Sequence, residues 1–254
     1  MMNTITLPKE KIYNGNLLLV NAVFPVQYYC ENGMVPAVTS FPHILMRREA
    51  ANVLQHIMKK IGCRDEIVPV SGYRSVSEQS DIYSNSLNEN GKCFTEKFVA
   101  LPKHSEHQTG LAIDLGLKKD TVDFICPDFP YYGICHEFRK AAPQYGFIER
   151  YQINKENITG ISHEPWHFRY VGYPHSDIIS ENEFSLEEYI DYIRDFQYGR
   201  KHLQIQKNGK ETEIYYVPID NFAAINISIP EQTVYQVSGN NIDGFIVTLW
   251  RQNE

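Results

Sequence analysis

Two separated segments of this chain carry side chains that can bind a metal ion and move a proton. The first, Ser-Glu-His, ends at His107 and is followed seven residues later by Asp114, and the second, Glu-Pro-Trp-His, ends at His167. Two histidines and one aspartate can supply three ligands to zinc and leave its fourth position open for water. Glu164, which begins the second segment, can accept a proton from that water. This set of residue types predicts metal-assisted hydrolysis.

A different pairing of histidines competes with this one. His163 and His167 are the ends of an H-E-x-x-H pattern, which in helical zinc proteases places both histidines on one helical face. Pro165 lies inside the pattern and cannot donate a helical hydrogen bond, a defect of about 3 kcal/mol in a helix interior. The following residues alternate in polarity as in a strand, where positions 163 and 167 are about 13 Å apart. We therefore predict that His167 pairs with His107 and Asp114.

A turn can bring the predicted ligands together, and two members of the predicted site also have a structural interpretation. Thr109-Gly110 provides a turn that can fold His107 back over the strand that carries Asp114. Asp114 lies between apolar residues, where a carboxylate needs a partner, either a metal ion or a capping or ion-pairing group. Glu164 is either a general base beside the metal or a surface glutamate next to a turn proline.

Arg74 lies at a predicted junction between a strand and a helix. A short apolar strand, 66–70, precedes it, and Ser75 with Glu78 matches a capping box that opens a helix. The guanidinium of Arg74 either pairs with a structural carboxylate or binds a substrate carboxylate or the oxyanion formed on attack.

Three neighbouring residues are candidates for contact with substrate. Gln79 and Ser105 are neutral hydrogen-bonding side chains close to the motifs, and each either binds substrate or caps a helix or turn. Trp166 is either a core or wall residue or a platform for substrate.

Composition limits the classes of partner. With 254 residues the chain can form one large domain or a main domain with a small appendage. Its formal net charge of -7, without any lysine- or arginine-rich run, argues against nucleic acid, whose phosphates attract basic surfaces.

The cysteines and the N-terminus favour a cytoplasmic protein. The apolar run 17–20 is broken by Asn21, and no order of parts typical of a secretory signal surrounds it. Spanning a bilayer takes about 20 apolar residues, so no membrane anchor is expected. An odd number of widely spaced cysteines without a CxxC pair predicts reduced thiols in a reducing compartment. They are Cys30, Cys63, Cys93, Cys126 and Cys135.

Helices and strands are intermixed without a regular βαβ repeat, which predicts an α+β fold. Apolar residues within 42–61 recur at helical spacing and predict an amphipathic helix that ends at Gly62. Alternating polarity predicts strands at 111–115 and 166–171.

The character of the chain changes after about Gly172. A predicted helix at 184–198 is followed by short strand-like runs separated by Asn-Gly, Pro and Gly-Asn-Asn turns. We expect a first domain at 1–180 and a helix plus a β-rich appendage, whose role is unknown, at 181–254. The strand-like runs are 213–217, 223–229, 233–237 and 244–250.

Three motifs resemble those of the VanY/VanX group of zinc D-alanyl-D-alanine peptidases. They are the Ser-Gly-Tyr-Arg-Ser segment from Ser71, the Ser-x-His-x6-Asp segment from Ser105, and Glu-Pro-Trp-His-x-Arg-Tyr-Val-Gly from Glu164. The likeness extends over about residues 10–175 and keeps the order of the motifs. It is strongest to the bifunctional VanXY-type enzymes of vancomycin-resistance clusters.

The resemblance implies a small central antiparallel sheet surrounded by helices. It implies zinc held by the two histidines and the aspartate, with Glu164 as catalytic base and Arg74 stabilising the transition state. It also implies small peptide substrates that end in D-Ala-D-Ala. Three side chains are implied to contact the substrate or line its pocket: Ser71, Gln79 and Ser105.

Two alternatives stay open at this point. One is a peptidoglycan endopeptidase that acts on cross-linked muropeptides, against which the missing signal segment argues. The other is a non-catalytic, zinc-stabilised binding module. Such a module would be expected to lack the base or the arginine, whereas this chain has both Glu164 and Arg74.

Overall fold

A computed structural model describes residues 1–27, 33–207, 209–220 and 222–251. Helices in these residues are α1 (Arg48–Lys60), α2 (Val76–Asn90), α3 (Lys92–Phe98), α4 (Gly133–Ala141), α5 (Glu156–Thr159), α6 (His175–Glu181) and α7 (Leu186–Arg194). The strands are β1 (Met2–Pro8), β2 (Met34–Pro36), β3 (Leu45–Arg47), β4 (Ile67–Ser71), β5 (Ala112–Leu117), β6 (Phe147–Tyr151), β7 (Glu164–Tyr170), β8 (Leu203–Lys207), β9 (Lys210–Pro218), β10 (Ala224–Pro230), β11 (Val234–Gly239) and β12 (Gly244–Arg251).

The chain divides into two compact units. One comprises residues 20–186, and the other comprises residues 1–19 together with 187–254. The first 19 residues join the C-terminal part because β1 pairs with β10 along its whole length, in antiparallel register. These units group the first 19 residues differently from the predicted domain at 1–180.

The unit 20–186 is built on a four-stranded antiparallel sheet with the strand order β4-β5-β7-β6. Helix α1 contributes Ala50, Leu54 and Ile57 to the core that covers one face of this sheet. Phe138 and Phe168 meet edge to face in the same core, with ring centroids 5.0 Å apart. Helices around a small antiparallel sheet confirm the predicted α+β class.

The two central strands separate apolar from polar side chains. Ile113 of β5 lies opposite Phe168 of β7, and both are fully buried in the core. The next pair along the strands is Asp114 opposite His167. Because successive side chains of a strand point to opposite faces, this polar pair lies on the other face of the sheet.

Local sequence signals account for the end of α1 and the start of α2. Gly62 has φ +71° and ends α1 as predicted, since glycine adopts the left-handed region without steric cost. Ser75 and Glu78 form the predicted capping box of α2, each side chain bonding to the backbone N–H of the other. Helix α1 begins only at Arg48, because the residues just before it form β3, which pairs with β2.

The second unit has the predicted β-rich character. Its four-stranded antiparallel sheet has the order β11-β12-β9-β8, and β1 with β10 forms a two-stranded ladder. Val217, Ile227, Phe245 and Leu249 are among the buried residues of its apolar core. All four predicted strand-like runs coincide with strands, β9 to β12.

The predictions of reduced thiols and of no membrane anchor can be compared with the structure. The described cysteines, Cys63, Cys93, Cys126 and Cys135, are free thiols, and Cys30 lies outside the described residues. No helix among the described residues combines the length and apolar character that crossing a bilayer demands.

Candidate metal centre

Strand register brings two of the three predicted metal ligands together. Asp114 of β5 pairs with His167 of β7 on one side and with Ser71 of β4 on the other. Asp114 Oδ1 is 2.9 Å from His167 Nδ1. A separation of 53 positions in the sequence is therefore closed by a single pair of antiparallel strands.

The third predicted ligand reaches this pair from a turn. His107 lies in one turn of 3-10 helix, Glu106–Thr109, which Gly110 ends in the left-handed conformation at φ +70°. The positive φ of Gly110 favours glycine, because other residues rarely adopt this backbone conformation. The turn leads directly into β5 and folds His107 back over Asp114, as predicted from Thr109-Gly110.

The three side chains form a set that fits a zinc ion. His107 Nε2 is 3.0 Å from Asp114 Oδ2, and one ligand atom from each of His107, Asp114 and His167 lies within 4.8 Å of the others. Ligand atoms about 2.0–2.1 Å from a tetrahedral zinc are about 3.3 Å from one another. Nitrogen and carboxylate donors at this spacing match the preference of zinc, and three protein ligands leave a fourth position open.

The pKa values of Asp114 and His107 favour the protonation states that can bind a cation. Burial opposes the ionisation of Asp114, but its contacts with both histidines hold its pKa well below the usual range. Burial and the charge of Arg74 lower the pKa of His107 to about 4, so its imidazole is neutral and has a lone pair to donate. Burial alone would lower the pKa of His167, yet hydrogen bonds with Asp114 and Glu106 raise it to about 9. A cation that binds at His167 therefore displaces a proton.

Glu164 lies beside the three predicted ligands. It begins β7, is buried, and its Oε2 is 3.8 Å from His167 Nδ1. Burial raises its pKa to about 8, with a further contribution from the charge of Asp114. A carboxyl group with this pKa can take up and release a proton near neutral pH.

Arg74 is held by three side chains at the same end of the sheet. Its Nη2 donates to Asp114 Oδ2 at 2.9 Å, its Nε to Ser71 Oγ at 2.7 Å, and its Nη1 to Gln79 Oε1 at 3.3 Å. Burial lowers the pKa of Arg74, and the negative charges of Asp114 and Glu164 oppose that shift. The guanidinium lines the same cleft as the metal ligands.

The four predicted substrate contacts occupy different positions. Ser105 and Trp166 line the cleft together with Arg74 and Glu164. Ser71 lines an adjoining groove on the other side of Arg74. Gln79 is fully buried, and its amide is used by Arg74 and by the carbonyl oxygen of Ala100, to which Nε2 donates at 2.8 Å.

His163 belongs to a different cluster. Its Nε2 contacts the Tyr131 hydroxyl at 2.8 Å and Glu149 at 3.5 Å, and the residues after it form the strand β7 rather than a helix. Of the described part of the chain, only His107, Asp114 and His167 converge as a group of three metal-binding side chains.

Glu106 is a site residue that sequence reasoning missed. Its side chain is fully buried, and its Oε2 is 3.4 Å from His167 Nε2. Burial opposes its ionisation, but the guanidinium groups of Arg150 and Arg169 hold its pKa well below the usual range. A signal was present, because Arg169 shares a face of the strand with His167 and such an arginine needs a carboxylate when buried.

Comparison with known proteins agrees with this geometry. A sequence model of the VanY family, described as D-alanyl-D-alanine carboxypeptidase, matches residues 43–173. The bifunctional D-Ala-D-Ala dipeptidase and D-Ala-D-Ala carboxypeptidase VanXYC of Enterococcus gallinarum is 44% identical over 181 residues, which are 70% of this chain and 95% of that protein.

Two solved structures resemble this chain in fold. One is the vancomycin-resistance D,D-dipeptidase VanXYg in complex with a D-Ala-D-Ala phosphinate analogue, with TM-score 0.96, 61% identity, and coverage of 99% of this chain and 100% of that chain. The other is a mutant of the D,D-pentapeptidase VanY from a VanB-type resistance cassette in complex with Zn(II), with TM-score 0.54, 29% identity, and coverage of 69% and 98%. The chain belongs to the VanY family of D-alanyl-D-alanine carboxypeptidases.

Proposed function

We propose that this chain is a zinc-dependent D,D-peptidase. It hydrolyses the D-Ala-D-Ala dipeptide and removes the terminal D-Ala from peptidoglycan precursor pentapeptides, and so contributes to vancomycin resistance. The observation that carries the proposal is the convergence of His107, Asp114 and His167 in a cleft that Glu164 and Arg74 also line. Similarity over nearly the whole chain to a D,D-dipeptidase, and over most of it to a bifunctional dipeptidase and carboxypeptidase, supports this choice of substrates.

His107, Asp114 and His167 hold the zinc ion in this proposal. When bound, zinc supplies a Lewis acid that polarises a carbonyl group and lowers the pKa of a water molecule. The complex of a related VanY enzyme with Zn(II) supports zinc over other divalent ions.

Glu164 moves the proton. Its buried carboxylate accepts a proton from the attacking water and then delivers it to the departing amine. The other glutamate of the site, Glu106, is unsuited to this task, because two guanidinium groups hold its pKa well below the usual range and so make it a poor proton acceptor. The two carboxyl groups therefore have separate roles set by their surroundings.

Arg74 stabilises the negative charge that develops on the carbonyl oxygen during attack. Its Nε and both Nη atoms are held by Ser71, Gln79 and Asp114, so the guanidinium keeps its orientation before substrate arrives. The cleft-lining positions of Ser105 and Trp166 support substrate contacts by both. The contacts predicted for Ser71 and Gln79 stay predictions.

The two alternatives make different predictions about substrates and metal. A zinc-stabilised binding module has no need of a base and an arginine that face the same cleft, as Glu164 and Arg74 do. An endopeptidase would cleave a cross-linked muropeptide faster than D-Ala-D-Ala or a precursor pentapeptide. Turnover of these three substrates, with and without a chelator, separates the functions, and peptidase activity that survives complete zinc removal would contradict our proposal.

Substitution of Glu164 tests the assignment of the base. For Glu164→Ala we expect kcat on D-Ala-D-Ala to fall by about 10²- to 10⁴-fold, because the proton acceptor is lost. Zinc bound per chain, measured by mass spectrometry of the purified protein, should not change. His163→Ala is the matched control, since this neighbouring side chain contacts Tyr131 and Glu149 instead.

Two outcomes would contradict the assignment. If Glu164→Ala loses zinc, then Glu164 is a ligand. If it keeps both zinc and activity, the base lies elsewhere.

The predicted cytoplasmic location is a separate proposal, which fractionation of cells that produce the protein would test.

A further inference from the structure

We propose that Glu106 is a positioning residue of the metal centre. It holds His167 so that Nδ1, and not Nε2, faces the metal, and Arg150 and Arg169 hold Glu106 in turn. This inference rests on the proposed function, because it concerns the zinc ion that the function requires.

The contacts of Glu106 use its two oxygens for different purposes. Oε1 accepts a hydrogen bond from Arg150 Nε at 2.8 Å and lies 2.9 Å from Arg169 Nη1. Oε2 faces His167 Nε2 at 3.4 Å. The side chains of Glu106, Arg150 and Arg169 are completely buried. A carboxylate held by two buried guanidinium groups has little freedom to turn away from the imidazole.

The geometry determines which nitrogen of each histidine is available. The Nδ1 of His107 lies 2.6 Å from the carbonyl oxygen of Gly72, which can only accept, so the proton is on Nδ1 and the lone pair on Nε2. For His167 the arrangement is reversed, since the anionic Glu106 is at Nε2 and Asp114 Oδ1 is at Nδ1. The two histidines therefore enter the metal site through opposite nitrogens.

Charge adds a second contribution. The buried guanidinium groups of Arg150 and Arg169 would repel a divalent cation, and the charge of Glu106 offsets part of that repulsion. Replacement by alanine leaves both arginines without this carboxylate in the interior, which destabilises the fold itself. Replacement by glutamine keeps the shape and one acceptor oxygen, so Glu106→Gln is the informative variant.

The test measures zinc affinity of the full-length chain by competition with a chromophoric chelator. Partners of this kind contribute about 10- to 100-fold to metal affinity, so we expect Glu106→Gln to bind zinc at least tenfold more weakly than the wild type. Glu213→Gln is the matched control, because Glu213 also contacts a histidine and an arginine, His202 and Arg251, but in the other compact unit. We expect this control to match the wild type within about twofold.

A second measurement needs no substitution and stays decisive if Glu106→Gln does not fold. Long-range ¹H–¹⁵N spectra of the zinc-loaded wild type report which imidazole nitrogen carries the proton. We expect a proton on Nε2 of His167 and on Nδ1 of His107. The reverse tautomer of His167 would overturn the inference, as would a folded Glu106→Gln variant with wild-type zinc affinity.

These outcomes separate the inference from the proposed function. A wild-type chain that binds zinc and hydrolyses D-Ala-D-Ala, together with an unchanged affinity in Glu106→Gln, overturns the role of Glu106 alone. A wild-type chain that binds no zinc overturns the proposed function and this inference with it.

Discussion

Each compact unit contains a buried glutamate that contacts a histidine and an arginine. In the unit 20–186, Glu106 contacts His167 and is held by two buried arginines. In the other unit, Glu213 of β9 accepts from His202 Nδ1 and from Arg251 Nη2. The residue types are the same, but the surroundings of the histidines differ.

The ring of His202 and both of its nitrogens contact neighbouring groups of the protein. Its ring stacks on Tyr215 with centroids 4.4 Å apart, and its Nε2 accepts from the backbone N–H of Gly199 at 3.3 Å. Both ring nitrogens are therefore used inside the protein. His167 instead presents Nδ1 to Asp114, next to His107 and a cleft. A histidine–carboxylate contact by itself therefore does not indicate a metal site. Three metal-binding side chains that converge at a cleft do indicate such a site.

Removal of one histidine from each unit gives the largest contrast. For His107→Ala we expect zinc to be lost at equimolar metal, and hydrolysis of D-Ala-D-Ala with it, because two protein ligands do not make a tight zinc site. His202→Ala should keep zinc and turnover. Zinc content of dialysed protein and initial rates of hydrolysis measure both effects. If His202→Ala loses as much zinc as His107→Ala, the assignment of the metal site to the unit 20–186 alone is contradicted.

Conservative replacement of an arginine in each unit gives the next largest effect. Arg74→Lys keeps a charge but loses the planar fork that bonds Ser71, Gln79 and Asp114. We expect kcat on D-Ala-D-Ala to fall by about 10²- to 10³-fold with zinc content retained, as for loss of an oxyanion donor. The control Arg251→Lys alters only the arginine of the Glu213 cluster. If kcat of Arg74→Lys stays within about threefold of the wild type, Arg74 is only the structural partner of Asp114.

A pH experiment sharpens the comparison by separating the fold of the unit 20–186 from its metal chemistry. Burial lowers the pKa of His175 from 6.5 to about 3, so the folded state keeps this histidine neutral while the unfolded chain takes up a proton. The stability due to neutral His175 is present above pH 6.5 and is lost as the pH falls toward 3. At pH 5 the loss is about 2 kcal/mol.

Urea unfolding of the metal-free protein between pH 7 and pH 5 measures this effect. Metal-free protein is used so that protonation of the ligands does not release zinc during the titration. We expect the free energy of unfolding to fall less steeply in His175→Gln than in the wild type. Parallel curves for the two proteins would show that His175 does not contribute to the acid sensitivity.

The sequence was informative where the signal is local. The capping box of Ser75 and Glu78, the stop at Gly62 and the turn at Gly110 depend on backbone preferences of a few residues, and the structure has all three. Pro165 likewise excluded a helix at His163 without any knowledge of the fold.

Contacts between residues far apart in the chain could not be predicted from the sequence. Nothing in residues 1–19 shows that β1 pairs with β10, more than 200 positions away, because strand partners are chosen by the sheet as a whole. The contact of Gln79 with substrate stays a prediction, whereas the hydrogen bonds that its amide makes with Arg74 and with the backbone at Ala100 were not predicted. The complete burial of Gln79 depends on how α2 packs, so the polarity of the neighbouring residues in the sequence does not predict it.

The sequence by itself determined which side chains are available for chemistry and led us to predict two histidines and an aspartate as zinc ligands, a glutamate as base and an arginine beside them. Motif order and residue types sufficed for this, since zinc chemistry restricts which donors can serve. Only the tertiary structure decided that Asp114 and His167 are paired across β5 and β7, and that Glu106 meets Arg150 and Arg169 in the interior. The reason is physical, because register, burial and the pKa of each group arise from contacts between segments that are far apart in the chain.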